Sequence, residues 1–153
     1  MSKVWLITGS GNGLGRDIAE AALAAGDSVV AGARRTEELS PLVAQYGERV
    51  KPVRLEVRDE ATAKAAAQLA LDRFGRLDVL VNNADCGQIA PFEQMSTEDC
   101  QAVVDTCFYG VPTSRTGQVR AVANDPTPPT KNETSASCFL LFLRTVRFAC
   151  LRH

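Results

Sequence analysis

The chain has 153 residues, of which 45% are hydrophobic and 23% charged, with a formal net charge of −1. That is the composition of an ordinary soluble protein, long enough for one domain burying roughly 70% of its unfolded surface. The opening "MSKVWLITGS" has one lysine and too short an apolar core for a secretory leader, so a cytoplasmic chain is expected. The apolar run from Cys138 to Leu151 is broken by Arg144 and Arg147 and falls short of the ~20 residues of a membrane span.

The predicted elements alternate. Lys3–Thr8 "KVWLIT" reads as a strand running into a glycine cluster, and Leu14–Ala25 as a helix with apolar positions at helical spacing, stopped by Gly26. Ser28–Ala33 is a second strand, Glu37–Tyr46 a helix ended by Gly47, and Val50–Val57 a third strand. Glu60–Phe74 is a helix closing on Gly75, and Leu77–Val81 a fourth strand. Ser96 opens "STED", which resembles a capping box, for a helix to about Tyr109. Strands alternating with helices imply a doubly wound α/β fold, with a parallel sheet of about four strands and helices on both faces. The near-continuous apolar strands agree, since parallel strands are covered on both sides.

After Gly110 the pattern stops. Residues 111–137 hold four of the seven prolines and many Ser and Thr with no sustained period, which reads as loop or disorder. Charge changes too: residues 1–110 carry 11 basic and 16 acidic side chains, residues 111–153 carry 6 and 2. Two parts are therefore expected, a domain over 1–110 and a divergent, partly disordered tail over 111–153. The tail's scattered cations lack an aromatic platform, which argues against nucleic acid. Five cysteines without a C-x-x-C pair fit neither a zinc site nor a disulfide framework, and no metal site is expected. Thiol redox or metal chemistry through Cys86, Cys100 and Cys107 lacks ligand spacing and a nearby histidine.

The first strand-to-helix turn, "TGSGNGLG" from Thr8 to Gly15, is a phosphate cradle in physical terms. Glycines let the backbone approach a pyrophosphate, and the helix terminus presents free N–H groups and the positive end of its dipole. The Gly-x-Gly-x-x-Gly fingerprint does not fit from Gly9 or Gly11, whereas Thr-Gly-x-x-x-Gly-x-Gly fits Thr8, Gly9, Gly13 and Gly15. This segment resembles the cofactor loop of the short-chain dehydrogenases/reductases. "NNAD" from Asn82 to Asp85 resembles that family's Asn-Asn-Ala-Gly motif after the fourth strand.

The resemblance covers residues 3 to about 110 and implies a Rossmann-like cofactor-binding half, incomplete at the C-terminal side. It implies that Gly9, Ser10, Gly13 and Leu14 line the pyrophosphate and adenosine ribose. Asn83, with Ala84, would sit beside the ribose, and Asn82 would tie the central strands together. Glu56 and Val57 would meet adenine, Glu56 standing where the family has Asp. The second strand ends at Ala33 followed by Arg34 and Arg35, with no acid at the position where an NAD site wants a carboxylate. Two guanidiniums match a 2′-phosphate, so NADP(H) is expected over NAD(H).

The resemblance also implies a small alcohol or carbonyl substrate, leaves a homo-oligomer open, and implies catalysis by Asn, Ser and a Tyr-x-x-x-Lys pair. "VVDTCFYG" (Val103–Gly110) has Cys107 where that Asn is expected, and a thiol replaces an amide poorly. Four residues beyond Tyr46 stands Val50, and beyond Tyr109 stands Thr113, so no catalytic residue can be assigned. The expectation is an NADP-dependent oxidoreductase that is truncated and catalytically impaired, with a non-catalytic NADP-binding or oligomer-interfering fragment as the alternative. Asp85, in the family's glycine position, adds a carboxylate. At ~6 Å from a pyrophosphate charge it would cost roughly 3 kcal/mol at an effective dielectric near 20.

Overall fold

The computed structural model describes residues 2–87 and 91–111. Of the tail expected over 111–153, residues 112–153 lie outside the described residues. Four strands, β1 (Val4–Thr8), β2 (Ser28–Ala33), β3 (Val50–Arg54) and β4 (Val79–Val81), form one parallel sheet in the order β3-β2-β1-β4. The helices between them are α1 (Gly13–Ala24), α2 (Ser40–Tyr46) and α3 (Glu60–Phe74), and α4 (Thr97–Val104) follows β4.

Alternation along each strand divides the core into two layers, because successive side chains of a strand point to opposite faces. Ile7, Val29 and Ala31 pack with Leu23 of α1 and Leu42 of α2, all buried, on one face. Val4, Leu6 and Val30 pack on the other against α3, which offers Ala66, Ala67 and Ala70. An alanine face lets α3 lie close to the sheet. The fold is therefore a doubly wound α/β sheet with helices on both sides.

Element bounds differ from the sequence reading where a local rule intervenes. The segment expected to be one helix over Glu37–Tyr46 splits into a 3-10 turn, Thr36–Leu39, and α2. Pro41 stands in the first turn of α2, where a missing N–H costs nothing, and so marks where the α-helix starts. β3 stops at Arg54; Leu55 N–H still reaches Ala33 O at 2.9 Å, after which Glu56 and Val57 turn away. β4 starts two residues late, at Val79. Ser96 caps α4 as the sequence suggests, its Oγ accepting from Asp99 N–H at 3.1 Å, and beyond Val104 the helix widens into a π-turn, Asp105–Tyr109.

The chain lays β2 and β3 on one side of β1 and then returns to place β4 on the other. A sheet whose winding reverses between two neighbours leaves a crevice at their carboxyl ends, here those of β1 and β4. The amino ends are tied differently. Asp27 accepts from Lys3 N–H and from Trp5 Nε1, both at 2.8 Å, and Asp78 accepts from Val4 N–H at 2.8 Å.

These bonds have an acid signature. The Lys3 N–H, with help from Trp5, holds the Asp27 carboxyl below its ordinary value of 3.8. The Arg76 guanidinium and then the Val4 N–H do the same for Asp78. Both folded values lie below the unfolded one, so the contribution is complete above the unfolded value and is lost as pH falls through the folded values. Acid titration followed by Trp5 emission should show stability falling below about pH 4. D27N and D78N should each flatten that fall; an unchanged slope in both variants would contradict the assignment.

Candidate functional site

Strand β1 ends at Thr8, and the hydroxyl of this buried side chain is the hinge of the site. Thr8 Oγ1 accepts from the backbone N–H groups of Asn83 and Ala84, both at 2.9 Å, and lies 3.3 Å from Val81 O, to which it donates. The Asn83 amide answers in the other direction, Nδ2 donating to Thr8 O at 3.2 Å and Gly9 O at 3.3 Å. The glycine loop and the end of β4 are thus stitched together across about 75 positions of sequence. Asn83 makes these bonds, and so ties β1 to β4, a role expected of its neighbour Asn82.

Two glycines are needed for the stitch. Gly9 has φ +69°, and a Cβ on it would stand 2.9 Å from Ala84 Cα and 3.0 Å from Asn83 Nδ2. At Gly15 a Cβ would collide with Asn83 Nδ2 and with Gly9 O. Ser10, expected among the cofactor contacts, instead turns its side chain inward. Its Oγ donates to Ile7 O at 2.7 Å, its N–H donates to Gly32 O at 2.9 Å, and it is fully buried. Ser10 shapes the loop from beneath.

Helix α1 opens from this loop without a side-chain cap. Asn12 occupies the N-cap position but its side chain makes no capping bond, and no acid stands in the first turn. The contrast with α3 and α4 is direct, since Asp59 and Ser96 satisfy an N–H of those helices. An uncapped first turn leaves N–H donors and the positive dipole end facing the crevice.

The crevice is an open cleft of about 450 Å³. Its floor is Gly9, Gly13 and the exposed Leu14; its wall beyond β2 and β3 is Ala33, Arg34, Arg35, Glu56 and Val57; Asn83 and Ala84 close the β4 side. Nine of the ten residues singled out from sequence thus meet around one space, Ser10 being the exception. Val57 contributes there while its side chain is buried, its Cγ2 so placed that a Cβ on Gly110 would lie 2.8 Å from it.

Beyond the glycine loop, sequence reasoning missed three charged or polar members of the lining, Glu38, Arg58 and Thr106. Glu38 lines the cleft and forms an ion pair with Arg35. Arg58 lies in the lining and its guanidinium donates to both Glu56 carboxylate oxygens, at 3.3 and 3.5 Å. Burial raises the Glu56 carboxyl, but the Arg58 side-chain and N–H bonds, with the charges of Arg58 and Arg34, outweigh it and hold the group below its ordinary value. Thr106, buried in the π-turn, is the third. The spacing Arg35 to Glu38 is a helical i, i+3 pair and was available as a signal.

On the β4 side Asp85 is exposed and lines the cleft, and no non-glycine residue among those described has positive φ, so Asp85 carries no left-handed strain. Cys86 Sγ donates to Ala102 O at 3.3 Å, and the exposed Cys107 has its Sγ 3.9 Å from Cys86 O. Tyr46 lies beneath Arg49, and Tyr109 packs edge-on to Phe108. Among the described residues no three His, Cys, Asp or Glu side chains gather as a metal site would require, and no helix is long and apolar enough to cross a membrane.

The family model described as "short chain dehydrogenase" matches residues 3–121. Among curated proteins, Oxidoreductase BOA17 of Botryotinia fuckeliana is 46% identical over 112 residues, which is 72% of this chain and 41% of that protein. Among solved structures, an alcohol dehydrogenase from the archaeon Thermococcus sibiricus complexed with 5-hydroxy-NADP superposes with a TM-score of 0.73 at 27% identity, over 80% of this chain and 54% of that one. A 3-ketoacyl-(acyl-carrier-protein) reductase from Brucella melitensis complexed with NADH gives 0.73 at 30% identity, over 78% and 49%. The chain spans less than half the length of the curated relative it matches.

Replacing the Thr8 hydroxyl tests the stitch. Thr8→Val keeps the shape but strands two N–H groups, a loss of about 2–4 kcal/mol on thermal or denaturant unfolding. Thr8→Ser should recover most of it; a valine variant as stable as the native chain would show that the hydroxyl is dispensable.

Proposed function

This chain belongs to the short-chain dehydrogenase family, and from that premise we propose that its cleft binds a nicotinamide dinucleotide, NADP(H) in preference to NAD(H). The activity this serves is oxidoreduction between the nicotinamide and a small alcohol or carbonyl. The observation that carries the reading is the uncapped start of α1 behind a loop in which Gly9 and Gly15 have no room for a side chain against Asn83. N–H donors with no side-chain cap, at the floor of an open cleft, suit a pyrophosphate.

The bound nicotinamide would supply or accept the hydride. The chain's own residues bind and orient. Loop residues 9–14 cradle the phosphates, and Asn83 and Ala84 hold the β4 side of the ribose. Glu56, kept ionised by Arg58, stands with Val57 at the adenine end. Arg34 and Arg35, exposed at the end of β2, favour the 2′-phosphate by charge and by donor geometry.

Turnover is a separate matter. Neither Tyr46 nor Tyr109 has a lysine four residues on, and Cys107 stands where the resemblance expects an amide. A missing general acid/base typically removes 10²–10⁴ in rate. These residues support impaired catalysis by this chain alone, and they favour as a second reading a non-catalytic NADP-binding or oligomer-interfering role.

Trp5 lies at the amino ends of the strands, opposite the cleft, so calorimetry or melting temperature is the better reporter of binding. NADPH should bind and raise the melting temperature more than NADH does. Arg34→Ala should weaken NADPH roughly ten- to a hundredfold and leave NADH nearly unchanged. Equal binding of the two cofactors, or none, would overturn the preference.

A further inference from the structure

Gly11 is not required by the Thr-Gly-x-x-x-Gly-x-Gly pattern, yet it is buried, and what buries it is Glu38. A Cβ on Gly11 would run into the Glu38 carboxylate, with the Glu38 Cβ only 3.4 Å away. The same carboxylate pairs with Arg35, and the two side chains are unequally placed: Arg35 is 78% exposed, Glu38 only 29%. A carboxylate is therefore seated over the glycine loop, inside the cleft, at the end where Arg34 and Arg35 stand.

We propose that Glu38 is a specificity-determining residue that narrows the cleft's preference for a 2′-phosphorylated nucleotide over its 2′-hydroxyl counterpart. The inference rests on the reading of the cleft as a dinucleotide site. An ionised carboxylate only accepts hydrogen bonds. A ribose 2′-hydroxyl can donate to it, as in sites where an acid at the end of the second strand binds that group. A fully ionised 2′-phosphate cannot donate. It is repelled by the carboxylate and must compete with it for the Arg35 guanidinium. Arg35 thus comes to a phosphate already partnered, while Arg34 makes no ion pair among the described residues. Glu38 reaches this position from the 3-10 turn after β2, one turn beyond the guanidinium it neutralises, so the acid missing at Ala33 is supplied from farther along the chain.

The test uses half-cofactors that touch only this end of the cleft. Adenosine 2′,5′-bisphosphate and adenosine 5′-monophosphate are titrated by calorimetry into the native chain and into Glu38→Gln, which keeps length and an acceptor oxygen but drops the charge. The ratio of the two affinities should rise roughly three- to thirtyfold in the variant. The gain should come from tighter binding of the bisphosphate, and it should shrink as salt is added. An unchanged or lowered ratio overturns the proposal while leaving the cofactor site intact. Loss of both nucleotides in the variant alone overturns it too, by assigning Glu38 to the support of the loop. If the native chain binds neither nucleotide, the cofactor reading itself falls and this inference falls with it.

Discussion

One threonine hydroxyl meets two backbone N–H groups of a different strand, and the site is built outward from that meeting. Thr8 is buried, and the bonds its Oγ1 accepts from Asn83 and Ala84 are partly so. Were the hydroxyl absent, two donors would be left without a partner at the carboxyl ends of β1 and β4, at about 1–3 kcal/mol each. The Asn83 side chain returns two bonds to the loop, and this fixes how close the loop lies to β4. At that separation there is no volume for a side chain at Gly9 or Gly15. The glycine pattern is a consequence of the stitch as much as a provision for a ligand.

The electrostatics of the cleft are a balance of both signs. Arg34, Arg35 and Arg58 face Glu38, Glu56 and Asp85 around the same space. Two of the cations are already engaged, Arg35 by Glu38 and Arg58 by Glu56. An anionic ligand entering here meets one guanidinium outside those pairs and the open end of α1, and elsewhere exchanges one partner for another. Such a site discriminates between ligands by which pairs they break. Asp85, exposed on the β4 rim, adds a negative charge on that side, and its backbone is unstrained.

Much of the architecture was readable because it is local. The β2 and α3 bounds follow from apolar runs and from Gly75, and both stand where the sequence put them. The Thr-Gly-x-x-x-Gly-x-Gly spacing located the cleft floor. What could not be read were the directions of side chains and the contacts made across long stretches of sequence. Ser10 sits inside the loop motif yet points into the core, and Asn82 and Asn83 are adjacent in sequence but only one reaches Thr8. Glu38 and Arg58 are ordinary surface residues on paper. Their roles come from the 3-10 turn after β2 and the turn after β3, where no period betrays which way a side chain faces.

The proposed nucleotide site joins the stitched loop, the uncapped start of α1 and the guanidiniums after β2. Backbone amide NMR of the labelled chain titrated with NADP⁺ tests it most directly. Saturable shifts are expected at residues 9–14, at Arg34 and Arg35, and at residues 83–86, with Trp5, Asp27 and Asp78 at the opposite ends of the strands unmoved. Shifts centred on those opposite ends, or none at millimolar ligand, would contradict it.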